Sequence, residues 1–405
     1  MTRSLLAVLA SFAFAAAAPA QTIKIAVLGP MAFVQGKNHW QGAEMARDEI
    51  NKAGGINVGG KKMQVELIRA DTNEIQSVPD ATNAIERVIT RDKADFLVGG
   101  FRSEAVIAMQ EVAMDNKKIF LGCGAADAKL GANVEANYER YKYWFRLTPV
   151  KAPDLFRTLM AVLNNIGDQV RQSLKKDQVK VALVAEKAVW TEAIVKGVQA
   201  QLPKMNMEIV GTWQPSAVAT DVTAELSAIE RAGADIVFTL VSGPVGISLG
   251  RQMGERNMKA VAWGINVEGQ KEDFWQASAG KAQYVSTLDT YAEVEMTPKT
   301  IPFVRAYKER FKEAPTYNAA TYDAIMLLKN VIEKTGSMDA DRLVPAIEQI
   351  EDVGTAAVVT FDKKHDLNWA VGKTAGIAVQ WQDGKKVPFW PPQVKGMQSF
   401  KMPAR

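Results

Sequence analysis

Cysteine is almost absent. Cys123 is the only one in 405 residues, so no intramolecular disulfide can form even in an oxidising compartment. Its place at a strand end suits a small buried hydrophobe better than a reactive thiol. Histidine is nearly as scarce, with only His39 and His365. Without Cys or acid clusters at ligand spacing, a zinc site is not expected. No run of Lys or Arg exceeds two, and the net charge of +4 is spread along the chain. A nucleic-acid groove needs a clustered basic face and is excluded as an expectation. The dinucleotide motif G-x-G-x-x-G is missing after the first strand, where Gly29-Pro30 stands instead. Gly243, Gly246 and Gly250 only superficially resemble a phosphate loop, because their spacing is wrong. Ser103 has no sequence-positioned histidine to activate it. Catalysis and a cofactor are therefore not expected.

What is present is ordinary globular composition, 47% apolar and 23% charged. A length of 405 residues is long for one core and predicts two domains. The first twenty residues stand apart: Arg3 leads, Leu5 to Ala18 are apolar, and Ala18-Pro19-Ala20 is a small-x-small site. This reads as a secretory signal peptide cleaved after Ala20. No other stretch reaches membrane-spanning length, and no Cys follows the cleavage site, so an exported chain without a lipid anchor is expected.

Asp95 to Leu130 is the most informative stretch. An apolar run to Val98 ends at Gly99-Gly100, and Ser103 opens a helical pattern through Val106, Met109 and Ala113. A second strand, Ile119 to Leu121, leads into the turn Ala125-Ala126-Asp127. Two parallel strands joined by a helix bring Ser103 and that turn together beyond the strands' carboxyl ends, where open α/β sheets bind ligands. A hydroxyl beside the free N–H groups of a helix start suits a small carboxylate, whereas the bland alternative makes Ser103 a helix cap.

Strands and helices alternate elsewhere, predicting an α/β, doubly wound chain. Strands are expected at 23–28, 63–68, 143–147, 179–184, 207–212, 235–241, 260–263 and 284–288. From Pro298 three helices follow, then strands over Ala356–Phe361 and Ala375–Gln382. Asp383-Gly384 predicts a hairpin, and Pro388 to Pro392 reads as an extension laid over a surface. No polar or Pro-rich linker separates two halves.

The chain resembles the periplasmic substrate-binding proteins of the branched-chain amino-acid type, which serve ABC importers. Three stretches carry this: IKIAVLGPMAFVQGKNHWQGAEMARDEINKAGGI, the segment around Ser103, and NAATYDAIMLLKNVIEKTG. The spacing G-x-x-x-A-x-x-x-I-N-x-x-G-G-I runs from Gly42 to Ile56. The resemblance implies the type I periplasmic binding fold, two doubly wound (Rossmann-like) lobes joined by three hinge crossings. Lobe one would hold residues 21–148 and 288–361, and lobe two residues 149–287 and 362–405.

It also implies a ligand site. Ser103 would hold a ligand carboxylate with the turn at Ala125 and Asp127, where the family often has Thr or Ser at the last position. Asp127 could accept from an amine but would repel a carboxylate, and Arg102 could pair with Asp127 or with the ligand. Trp190 would cover the ligand, Ser242 stands at an aromatic position of the family, and Asn266 replaces its amine-binding acid. Tyr317 and Gln35 would contribute further contacts. The expected partners are an amino acid or an aromatic or organic carboxylate, and a membrane permease. A monomer is expected. A ligand sensor that signals to a partner is the alternative use of the same clamp.

Overall fold

The computed structural model describes residues 22–148, 151–371 and 374–404. The expected export segment, residues 1–20, and Pro149 in the first expected crossing lie outside the described residues. The first sheet contains β1 (Thr22–Gly29), β2 (Ile56–Val58), β3 (Lys61–Asp71), β4 (Phe96–Gly99), β5 (Phe120–Gly122) and β6 (Trp144–Arg146). Their spatial order is β2-β3-β1-β4-β5-β6. All neighbours are parallel except the β2–β3 hairpin, which the sequence pattern does not announce. Ile23, Ile25 and Leu28 of β1 are fully buried, as apolar runs covered by helices on both faces must be. β1 lies between β3 and β4, so the strand order reverses there. The crevice at such a reversal opens at the strands' carboxyl ends.

The second sheet repeats the arrangement with β7 (Val179–Ala185), β8 (Met207–Trp213), β9 (Ile236–Val241) and β10 (Val261–Asn266). Its order is β10-β9-β7-β8, all parallel, and the reversal lies between β7 and β9. β10 runs three residues beyond the expected end at Trp263. β11 (Ser286–Asp289) continues alongside, through a bridge between Ala262 and Val285. A small hairpin, β12 (Asp352–Val353) with β13 (Val358–Val359), replaces the longer strand expected over Ala356–Phe361. β14 (Ile377–Gln382) and β15 (Lys385–Trp390) form the expected hairpin, and β14 pairs with β11. Pro388 to Trp390 therefore end a strand and do not lie over a surface. Phe389 and Trp390 are buried in the second core.

Helix Ala152–Leu174 shows why the second core closes. Leu155, Leu159, Val162, Leu163, Ile166 and Val170 fall on one face and are buried, about 1.5–3 kcal/mol for each large apolar side chain. The helices Thr321–Thr335 and Ala340–Glu348, late in the chain, pack back on the first core through Ile325, Leu328, Val331, Leu343 and Ile347. Leu288 packs in the second core and Leu367 in the first.

The crossings are tied by charge. Arg146 and Asp366, both almost fully buried, form an ion pair at 2.8 Å. Lys151 reaches Asp362 at 3.1 Å and Asp366 at 3.5 Å. Arg146 Nη2 also donates to the Asp127 carbonyl at 2.7 Å, joining the hinge to the turn expected to bind ligand.

Candidate functional site

Gly99 and Gly100 both have positive φ, 105° and 78°. A Cβ at Gly99 would sit 2.2 Å from the Leu28 carbonyl oxygen, so only glycine lets β4 turn so close to β1. Beyond the turn, the Glu74 carboxylate accepts from Phe101 N at 3.0 Å and Arg102 N at 2.8 Å. Burial pushes its carboxyl up to about 7, against these bonds. Helix Ser103–Asp115 starts here, and Arg102, the residue before it, provides no side-chain cap. Ser103 is the first helical residue and not a cap. Its Oγ accepts from Ala126 N at 3.2 Å and Asp127 N at 3.1 Å. The hydroxyl oxygen is committed to that turn, and its hydrogen is free to donate.

The opposite wall comes from the second sheet's reversal. Glu186 follows β7 and is fully buried. It accepts from Ser242 N at 2.8 Å, Gly243 N at 3.1 Å and the Trp190 indole at 3.1 Å. These bonds fix Trp190, which is nine-tenths buried. Gln35 crosses from the first lobe, where its Nε2 donates to the Ser242 carbonyl at 2.9 Å. Phe101, Ala126 and Tyr317 pack in the second core, so the lobes are closed on one another.

Between them lies a cavity of about 50 Å³. Phe101, Leu155, Trp190, Ile265, Leu288 and Tyr317 make most of its wall apolar and aromatic. The acid on its lining, Asp289, is 1% exposed and paired with Lys386 at 2.7 Å. Burial raises its carboxyl while Lys386 opposes the shift.

Of the expected residues, Ser103, Arg102, Trp190, Ser242 and Tyr317 line this cavity; Gln35, Ala125, Asp127 and Asn266 do not. Ala125 faces the first core, and Ala126 takes its place on the wall. Asp127 turns its carboxylate to Lys129 N at 2.7 Å, at the start of the next helix. Arg102 does not pair with Asp127: its Nε donates to Glu104 at 3.0 Å. Asn266 spans Gly246 O at 3.0 Å and Gly269 N at 3.2 Å, a brace inside the second lobe. Gln35 bonds the other lobe. Sequence reading did not select Gln270, Asp289 or Thr290. The one available signal was that residues 287–289 mark a crossing, and crossings floor a two-lobed cleft.

Among the described residues no group of three His, Cys, Asp or Glu could hold a metal ion. The Cys123 thiol is pushed up to about 12 by burial, which makes it inert. Among the described residues no helix is long and apolar enough to cross a membrane.

A family model described as periplasmic binding protein matches residues 22–385. This chain belongs to the periplasmic binding proteins. Periplasmic binding proteins of this kind bind substrates and are not enzymes. The chain is 26% identical to an amino acid binding protein of Pseudomonas aeruginosa over 87% of each chain. Its fold matches that of the branched-chain amino acid transporter substrate binding protein LivJ from Streptococcus pneumoniae in complex with isoleucine. That match has a TM-score of 0.74 and 22% identity, covering 90% of this chain and 98% of the other. A solute binding protein of an ABC transporter from R. palustris, in complex with benzoate, matches with a TM-score of 0.71 and 19% identity. It covers 91% of this chain and 95% of the other. The periplasmic binding protein fold thus accounts for the two parallel-sheet lobes and the cleft between them.

Proposed function

We propose that this chain is the exported solute-binding component of an ABC importer, and that its cargo is a small carboxylate with an apolar body and no α-amino group. The observation that carries the choice of cargo is the state of the buried acids. Asp289 is neutralised by Lys386, and Glu186 is committed to Ser242, Gly243 and Trp190. An ammonium group enclosed there would find the Asp289 charge already balanced and the Glu186 oxygens already occupied by neutral donors, so its N–H groups would lack open acceptors, which is costly in a dry site. A carboxylate would meet the Ser103 hydroxyl and the uncapped helix start behind it. The aromatic walls suit a ring or a branched aliphatic body, and the benzoate complex from R. palustris has a comparable fold. Ligand bridging both lobes would shift an open–closed equilibrium towards the closed form, which docks on the permease. Residues 1–20 would direct export and be removed, leaving Gln21 as the new terminus, which N-terminal sequencing of exported protein would reveal.

The test is a thermal-melt panel on protein refolded free of co-purified solute. Benzoate and 4-methylpentanoate are compared with phenylalanine and leucine. A ligand at about 100 times its Kd adds about 2.7 kcal/mol of apparent stability. Stabilisation by the amine-free acids alone supports the proposal. Stabilisation by the amino acids alone refutes it.

A further inference from the structure

We propose that Gln270 determines specificity by accepting a hydrogen bond from a neutral hydroxyl on the ligand, at the end remote from its carboxylate. This rests on the carboxylate reading above and deepens it. Gln270 lines the cavity from the second lobe and is 4% exposed. Both ends of the residue are held. Its backbone carbonyl accepts from Lys386 Nζ at 2.6 Å, and its Nε2 donates to the Leu288 carbonyl at 2.8 Å. Because a carbonyl can only accept, the amide nitrogen must be the atom that faces Leu288. That leaves Oε1 buried with no partner in the protein. An enclosed carbonyl oxygen without a donor costs about 1–3 kcal/mol. A rigid side chain of the cavity lining that keeps such an oxygen without a donor is completed by a ligand that donates to it.

The donor's charge follows from the same neighbourhood. Asp289 Oδ2 is ion-paired with Lys386, and its Oδ1 accepts from Thr290 N at 2.7 Å and Tyr291 N at 3.3 Å. No charge is left there to balance an ammonium, whose remaining N–H groups would also lack acceptors. A hydroxyl offers one hydrogen and no charge, which matches one free acceptor. Ser103 belongs to the first lobe and Gln270 to the second. A hydroxy acid therefore engages each lobe through one polar end and favours closure more than its unsubstituted parent.

Calorimetric titration of wild type and Gln270→Leu with benzoate, 3-hydroxybenzoate, 4-hydroxybenzoate and leucine tests this. Wild type is expected to bind one hydroxybenzoate about tenfold more tightly than benzoate, the worth of one good neutral hydrogen bond. Gln270→Leu is expected to erase that preference, binding benzoate and both hydroxybenzoates with equal affinity. If wild type binds benzoate and both hydroxybenzoates equally, the assignment of Gln270 falls and the carboxylate reading stands. The same conclusion follows if the preference survives in the variant, or if the variant weakens every ligand alike, which marks a purely structural role. If leucine binds and none of the benzoates does, both readings fall together. The wild-type series alone decides the matter should the variant not fold.

Discussion

Replacing Gln35 by Leu should weaken binding of every ligand by the same factor, because Gln35 touches the other lobe and not the cavity. Its Nε2 donates to the Ser242 carbonyl at 2.9 Å, a bond that exists only when the lobes are closed. A buried neutral bond of this kind contributes about 0.5–1.5 kcal/mol net. Gln35 Oε1 is itself buried without a partner in the closed form, so removing the amide relieves one cost while imposing another. The expected loss is therefore near the middle of the range, about 1 kcal/mol or roughly fivefold in Kd. Since ligand captures the closed form, apparent affinity falls by the drop in closed population, whatever the ligand. Calorimetry with three chemically different ligands measures the factor, and small-angle scattering of ligand-free protein measures the mean opening. Losses that differ widely between ligands would show that Gln35 meets the ligand directly. An unchanged Kd for all three would show that the bond adds nothing to closure.

Three further outcomes follow from the same geometry. Ser103→Ala removes a hydroxyl from the cavity lining and unpairs the amides of Ala126 and Asp127. Carboxylate affinity should fall by about 1.5–3 kcal/mol, the worth of a bond to a charged group, and calorimetry showing no loss would place the carboxylate elsewhere. Glu74 is raised from an ordinary 4.5 to about 7, so its contribution to stability is complete below the lower value and is lost as pH rises through the upper one. His39 acts oppositely, its value lowered from 6.5 to about 4 by burial, so its contribution is lost as pH falls through that window. The difference between Glu74→Gln and wild type isolates the first effect. Urea midpoints should show the variant gaining on wild type from pH 4.5 to 7, and a flat difference would refute the argument. Asp366→Ala leaves Arg146 buried without its partner and should cost about 3–5 kcal/mol in urea unfolding. A loss below about 1 kcal/mol would mean that water reaches Arg146 in the folded protein.

The fold was legible wherever a pattern was local. β1, β4, β5 and β9 are short apolar runs closed by glycine or polar residues, and helix Ala152–Leu174 carries its buried face at helical spacing. The errors cluster where partners are distant. Trp390 looked like a chain end, but β15 had β14 to pair with and the second core to enter. The strand over Ala356–Phe361 shortened because the segment at Asp352–Val353 offers only two residues of partner.

The sequence by itself determined the alternation of strands and helices, the glycine turn before Ser103, and a resemblance that the match over residues 22–385 turned into family membership. These are properties of neighbours in the chain, governed by periodicity and backbone sterics. Only the tertiary structure decided what the polar groups do. Asp127, Arg102 and Asn266 read as candidate ligand contacts, and the fold gives each a bond within its own lobe. Gln270 and Asp289 gave no local signal. Their roles depend on Leu288 and on Lys386, 97 residues beyond Asp289. A charge in a closed cleft is defined by whatever already neutralises it, and that partner is chosen by the fold.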